Sequence, residues 1–134
     1  MKVFVTGVGG QLGHDVINEL TSRGYDAVGS DVVDMVSSGV PYVALDITDA
    51  KAVERVITEI RPDAVVHCAA WTAVDAAEDA DKQEKVKAIN VDGTQNIANA
   101  AKMVDAKMVY ISTDYVFDGQ GTAPWKPDCK DYKP

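Results

Sequence analysis

Thr6-Gly7-Val8-Gly9-Gly10-Gln11-Leu12-Gly13 is the stretch of this chain best equipped to hold an anion. An apolar run precedes it and a helical pattern follows. Gly7 permits a tight turn, Gly10 lets the backbone approach a pyrophosphate, and Gly13 lets a helix pack closely on a strand. The free N–H groups at the helix start, with its positive dipole end, would then meet the phosphates. Three glycines alone are a common turn; a strand before and a helix after make the spacing specific. Asp31 lies 18 residues beyond Gly13, at the end of the next apolar run. That is the place of the acid that accepts hydrogen bonds from an adenosine ribose. A carboxylate there repels a 2′-phosphate, so simple electrostatics favours NADH over NADPH, and no arginine follows closely to reverse it. Thr113 and Asp114 close the last apolar run, where taken alone they read as a turn that caps a strand.

The elements that must position these groups follow from periodicity. Apolar runs at 2–6, 26–29, 41–45, 64–69 and 107–112 mostly lack a polar alternate face, as strands do when both faces are covered. Three amphipathic stretches lie between them. Leu12, Val16, Ile17 and Leu20 mark the first; Val53, Val56, Ile57 and Ile60 mark the second. The third is expected to run from 82 to 104, capped by Asp81 with Glu84 reciprocating. Gly93 inside it implies close packing against something, since a mid-helix glycine costs ~1 kcal/mol relative to alanine. Strand–helix–strand repetition specifies an α/β fold with a parallel, doubly wound sheet. The acidic positions Asp75, Glu78, Asp79, Asp81 and Glu84 read as a solvated loop entering the third helix. Tyr115 and Phe117 read as packing residues.

The 134 residues carry 13 basic and 21 acidic side chains, a formal charge of −8. An acidic total argues against nonspecific nucleic-acid binding, which needs clustered Lys and Arg. No apolar run reaches the ~18 residues of a membrane span, and the N-terminus lacks a signal-peptide layout, so a cytoplasmic location is the default. Cys68 and Cys129 have no metal-ligand spacing; no metal is expected, and Cys68 reads as a buried thiol.

Three strings taken together carry a resemblance: Thr6-Gly7-x-x-Gly10-x-x-Gly13, the segment from Arg61 through Ala69-Ala70-Trp71 to Asp75 and Glu78, and Ser112-Thr-Asp-Tyr-Val-Phe-Asp-Gly119. They resemble the dTDP-4-dehydrorhamnose reductase family of extended short-chain dehydrogenases/reductases, across essentially the whole chain. The resemblance implies a Rossmann-type sheet of order 3-2-1-4-5 and an NADPH or NADH cofactor. It implies cofactor contacts at Gly10, Gln11, Leu12, Gly13, Asp31, Asp46 and Ile47, with Ala69, Ala70 and Trp71 lining the nicotinamide half. Trp71 stands where Tyr or His is expected. By the same likeness the Thr113 hydroxyl meets the substrate carbonyl region and Asp114 helps hold a dTDP-sugar. The likeness makes Thr113 and Asp114 the catalytic positions of this chain, gives Asn90 a supporting role at the active site where a helix-face amide is the alternative, and implies a homodimer as a further partner. The implied reaction is reduction of the 4-keto group of dTDP-4-dehydro-6-deoxy-L-mannose. The family's Tyr-x-x-x-Lys pair does not occur here. Residues 1–119 are therefore expected to be the NAD(P)-binding domain, truncated after the fifth strand and inactive alone. Residues 120–134 are expected to be a loop or tail leading to a catalytic and substrate-binding region. A noncatalytic regulatory subunit on the same scaffold, like the methionine adenosyltransferase beta subunit, and another sugar-nucleotide reductase or epimerase are the alternatives.

Overall fold

The computed structural model describes residues 1–34 and 39–129. β1 (Lys2–Thr6), β2 (Asp26–Asp31), β3 (Tyr42–Ala44), β4 (Ala64–His67) and β5 (Lys107–Tyr110) form one sheet in the order β3-β2-β1-β4-β5. Every pairing is parallel, so all strand C-termini share one edge. That edge collects Gly7, Asp31, Asp46, Ala69 and Thr113.

Apolar side chains on both faces explain why the strands are near-continuous hydrophobic runs. On one face Phe4, Val28 and Val65 pack with Val53, Val56 and Ile57 of α2 (Ala50–Ile60) and Ile97, Ala100 and Ala101 of α5 (Thr94–Met103). On the other, Val3, Val5 and Ala27 pack with Ile17 of α1 (Gln11–Ser22). Helices on both faces make the sheet doubly wound, as the repetition requires. At the outer strand β5, Val109 and Tyr110 are exposed instead of covered.

The elements depart from the sequence pattern in several places: β2 runs on to Asp31 and β3 is shortened to Tyr42–Ala44. β4 and β5 end two residues early. Gly7, at φ +73°, turns the chain out of the ladder, and Ala69 N–H bonds the Thr6 hydroxyl at 3.2 Å. The third helix is broken into three: α4 (Gln83–Lys87), a π-helical turn (Ala88–Gly93) and α5. Asp81 does not cap it; Lys82 occupies the cap position in helical conformation, with no side-chain cap bond, and pairs with Asp79 at 2.6 Å. A short helix, α3 (Val74–Ala77), occupies part of the expected acidic loop. Gly93 packs as expected, because a Cβ there would come within 2.7 Å of Ile47 Cγ1.

Residues 120–129 contain no helix or strand, although Trp125 stacks on Phe117 with ring centroids 4.7 Å apart. The remainder of the expected tail, 130–134, lies outside the described residues. Tyr115 is 69% exposed and is not a packing residue within the described chain. No helix among the described residues is long and apolar enough to cross a membrane.

α2 has a side-chain cap: Asp49 Oδ1 accepts from Lys51 and Ala52 N–H, both at 3.0 Å. Asp49→Ala should lower stability by about 1 kcal/mol, read as a lower urea midpoint at unchanged m-value.

Candidate functional site

The glycine turn is built by exclusion. A Cβ on Gly7 would lie 2.7 Å from Ala69 N, and one on Gly13 would lie 2.2 Å from Gly7 O. Only glycine lets β1, the start of α1 and the end of β4 approach this closely. Gly10 differs: a Cβ there meets only Gly7 O, at 3.4 Å. Its surroundings are open, and Gly9 and Gly10 are exposed.

Gly10 is also the N-cap of α1, which has no side-chain cap and no acid in its first turn. The first backward helical bond is His14 N–H to Gly10 O, 3.0 Å. The N–H groups of Gln11, Leu12 and Gly13 therefore have no intrahelical acceptor, and the positive end of the dipole meets the open edge. Leu12, which the periodicity places on the apolar face, is 46% exposed at this edge. The donors, the open approach over Gly10 and the uncapped helix end together fit a pyrophosphate.

Asp31 is the last residue of β2, beside the turn. Its Oδ2 accepts from Gly9 N–H at 2.9 Å and its Oδ1 from Val32 N–H at 2.7 Å. A carboxylate has about four acceptor positions, so two remain for ribose hydroxyls. Tyr42 lies close by. Burial, then the Asp31 charge, pushes its phenol up, keeping it a neutral donor at pH 7. Past β3, Asp46 is exposed and its Oδ1 accepts from Thr48 N–H and Thr48 Oγ1, at 2.9 and 2.7 Å. Ile47 next to it is 7% exposed in the core, so its side chain faces inward rather than toward the edge.

At the end of β4, Asn90 clamps the Trp71 backbone: Oδ1 accepts from Trp71 N–H at 2.7 Å and Nδ2 donates to Trp71 O at 3.1 Å. The π-helical turn aims Asn90 at this strand end. The half-buried Trp71 ring donates Nε1–H to Ala73 O at 3.1 Å, and Lys85 Nζ stands 5.6 Å from its centroid. Cys68 is half-buried and its thiol is pushed up by burial, so it is a poor nucleophile at neutral pH. Thr113 Oγ1 accepts from Tyr115 N–H at 3.2 Å, capping a 3-10 turn (Asp114–Val116), and donates to Asp114 Oδ1 at 3.3 Å. Both residues are exposed at the sheet edge.

One constellation escapes sequence reasoning. His67 is 2% exposed and fully bonded: Nδ1 to Thr6 Oγ1 at 2.8 Å and Nε2 to Thr94 Oγ1 at 3.0 Å. Thr6 Oγ1 also takes the Ala69 N–H, so one imidazole ties β1, β4, α5 and the Ala69 turn together. The available signal was register: Ser30, Thr6 and His67 are cross-strand neighbours in strands otherwise apolar on that face.

A family model described as the RmlD substrate binding domain matches residues 1–132. A dTDP-4-dehydrorhamnose reductase from Streptomyces griseus is 40% identical over 125 residues, 93% of this chain and 37% of that protein. The solved structure of a dTDP-4-dehydrorhamnose reductase from Clostridium acetobutylicum superposes with TM-score 0.84 at 37% identity, covering 100% of this chain and 43% of the other. The Bacillus anthracis reductase, solved in complex with NADP, gives TM-score 0.76 at 42% identity over 90% of this chain and 39% of its own. The chain thus spans well under half the length of these proteins.

Burial lowers the His67 pKa from the ordinary 6.5 to about 4. Between those values the unfolded chain binds a proton that the folded chain refuses. Stability should therefore fall as pH drops from 6.5 toward 4, by about 3 kcal/mol, and the slope from this group ends near 4. Urea unfolding at several pH values checks it: His67→Asn should flatten that window. A variant curve as steep as wild type would assign the acid sensitivity elsewhere.

Proposed function

The chain belongs to the RmlD substrate-binding domain family, and from that premise we propose that it is the cofactor-holding part of a sugar-nucleotide reductase. The reaction is NAD(P)H-dependent reduction of the 4-keto group of dTDP-4-dehydro-6-deoxy-L-mannose. The single observation that carries the cofactor reading is the uncapped N-terminus of α1 behind the open Gly10, with Asp31 one strand away. The contrast with α2, which Asp49 caps from within the chain, supports it. Here the complementary anion is left to come from outside.

A bound dihydronicotinamide would supply the hydride. The chain's own groups bind and orient. Amides of Gln11, Leu12 and Gly13 receive the pyrophosphate, and the free acceptor positions of Asp31 take the ribose hydroxyls. Exposed Asp46 borders the adenosine side, with Ile47 acting through its backbone. Ala69, anchored through Thr6, and the small Ala70 leave room for a flat ring, and Asn90 holds Trp71 at its side. Thr113 at the end of β5 donates its hydroxyl toward the substrate carbonyl, and Asp114 meets the sugar nucleotide. Proton donation to the reduced oxygen is assigned to the family's Tyr-x-x-x-Lys pair, which is not among these residues.

Gly10→Val separates binding from folding, because Gly10 faces open space. It should weaken dinucleotide binding about tenfold or more while leaving the urea midpoint near wild type. Fluorescence titration with NADH and NADPH reads the first, and unchanged affinity would remove the glycine turn from the site. In the intact parent protein, a product assay with the 4-keto sugar nucleotide tests the reaction. Dinucleotide binding without turnover there would favour the regulatory alternative.

A further inference from the structure

Asp31 is held at both ends. Its carboxylate accepts from Gly9 and Val32 N–H, and its carbonyl accepts from Leu45 N–H at 2.8 Å and from Tyr42 Oη at 3.2 Å. The Tyr42 hydroxyl also donates to the Val33 carbonyl, its shorter contact. One hydroxyl carries one proton, so the two carbonyls share it and are drawn to a single point. Tyr42 can do this because its register partner on β2 is Gly29. No β2 side chain stands between its ring and the strand end two residues further on. The ring packs on the α1 side of the sheet, against the cluster of Val3, Val5, Val8, Ile17 and Ala27.

We propose that Tyr42 is a positioning residue that sets cofactor discrimination through Asp31. The inference rests on the dinucleotide reading above. A carboxylate on a loose strand end could swing or sink away from a 2′-phosphate at small cost, and discrimination would be weak. Here Tyr42 ties the Asp31 and Val33 carbonyls together while Gly9 N–H holds the carboxylate. The charge must stay where the ribose hydroxyls belong, so a 2′-phosphate meets the full repulsion and two ribose hydroxyls meet preformed acceptors. Neither Val32 nor Val33 contributes a compensating cation.

The experiment measures dissociation constants of NADH and NADPH, by fluorescence titration, for wild type, Tyr42→Phe, Asp31→Asn and the double variant. Thermal midpoints confirm that each is folded. Wild type should prefer NADH. Asp31→Asn should reduce that preference about tenfold, and Tyr42→Phe should reduce it about threefold to tenfold, by weakening NADH and by easing the repulsion of NADPH. In the double variant, Tyr42→Phe should add nothing further to the ratio, because its effect passes through the carboxylate. A merely structural role would weaken both dinucleotides alike and leave the ratio untouched. Tyr42→Met deletes the same hydroxyl on a different side chain and must move the ratio the same way. Should Tyr42→Phe leave the ratio intact while Asp31→Asn collapses it, or should the two effects add, the role of Tyr42 is overturned and the site stands. No binding of either dinucleotide by folded wild type overturns the site and this inference together.

Discussion

The open edge of the sheet depends on backbone contact at the end of β1. Gly7 touches the Ala69 backbone on one side and the first turn of α1, through Gly13, on the other. Neither approach leaves room for a methyl group, so the turn, the helix and the β4 end form one packed body. The positive end of α1 is thereby fixed over β1 and cannot drift from the strand ends that supply Asp31 and Ala69. Everything placed around that point inherits its position from a steric condition rather than from any strong bond.

Polar groups then lock what sterics permits. Ser30, Thr6 and His67 lie side by side across β2, β1 and β4, on the face otherwise filled by Phe4, Val28 and Val65. Buried polar groups are costly unless paired, and the Thr6–His67–Thr94 chain pairs its members with one another. Ser30 Oγ, also buried, has no hydrogen-bond partner among the described residues. A neutral imidazole suits this place: it donates through one nitrogen and accepts through the other, joining two hydroxyls at opposite ends. A charged ring would need two acceptors and would carry an uncompensated charge into the core.

What was legible in the sequence was local. Gly7, Gly10, Gly13 and Asp31 announce themselves because turn, helix start and strand end are neighbours along the chain; strand–helix repetition specifies a parallel sheet, and the order of its strands comes from the family resemblance. The His67 network was not legible, since Thr6 is 61 residues and Thr94 is 27 residues from His67. Only register brings them together. Leu12 misled the periodicity because an edge position satisfies the helical spacing without reaching the core. Asp81 has the right offset from Glu84 for a capping box, yet Lys82 bonds Asp79 and the helix starts without a side-chain cap. Tertiary contacts of Asn90 and Gly93, invisible in a one-dimensional pattern, decide where that helix widens.

The widened turn at Ala88–Gly93 acts as a phase shifter. An inserted residue rotates everything after it by about 100° around the helix axis relative to an unbroken α-helix. α4 and α5 are thus set at different azimuths on one rod: α5 turns Ile97, Ala100 and Ala101 to the core, while Val91 within the turn is 57% exposed. Exposed positions here, such as Val91, can be exchanged, but Asn90 clamps Trp71 and Gly93 has no room for a side chain against Ile47. Losing a single residue would swing one half of the rod out of phase and unseat either Asn90 from Trp71 or Ile97 from the sheet. Chain length in this segment is therefore constrained together with the residues at Asn90 and Gly93.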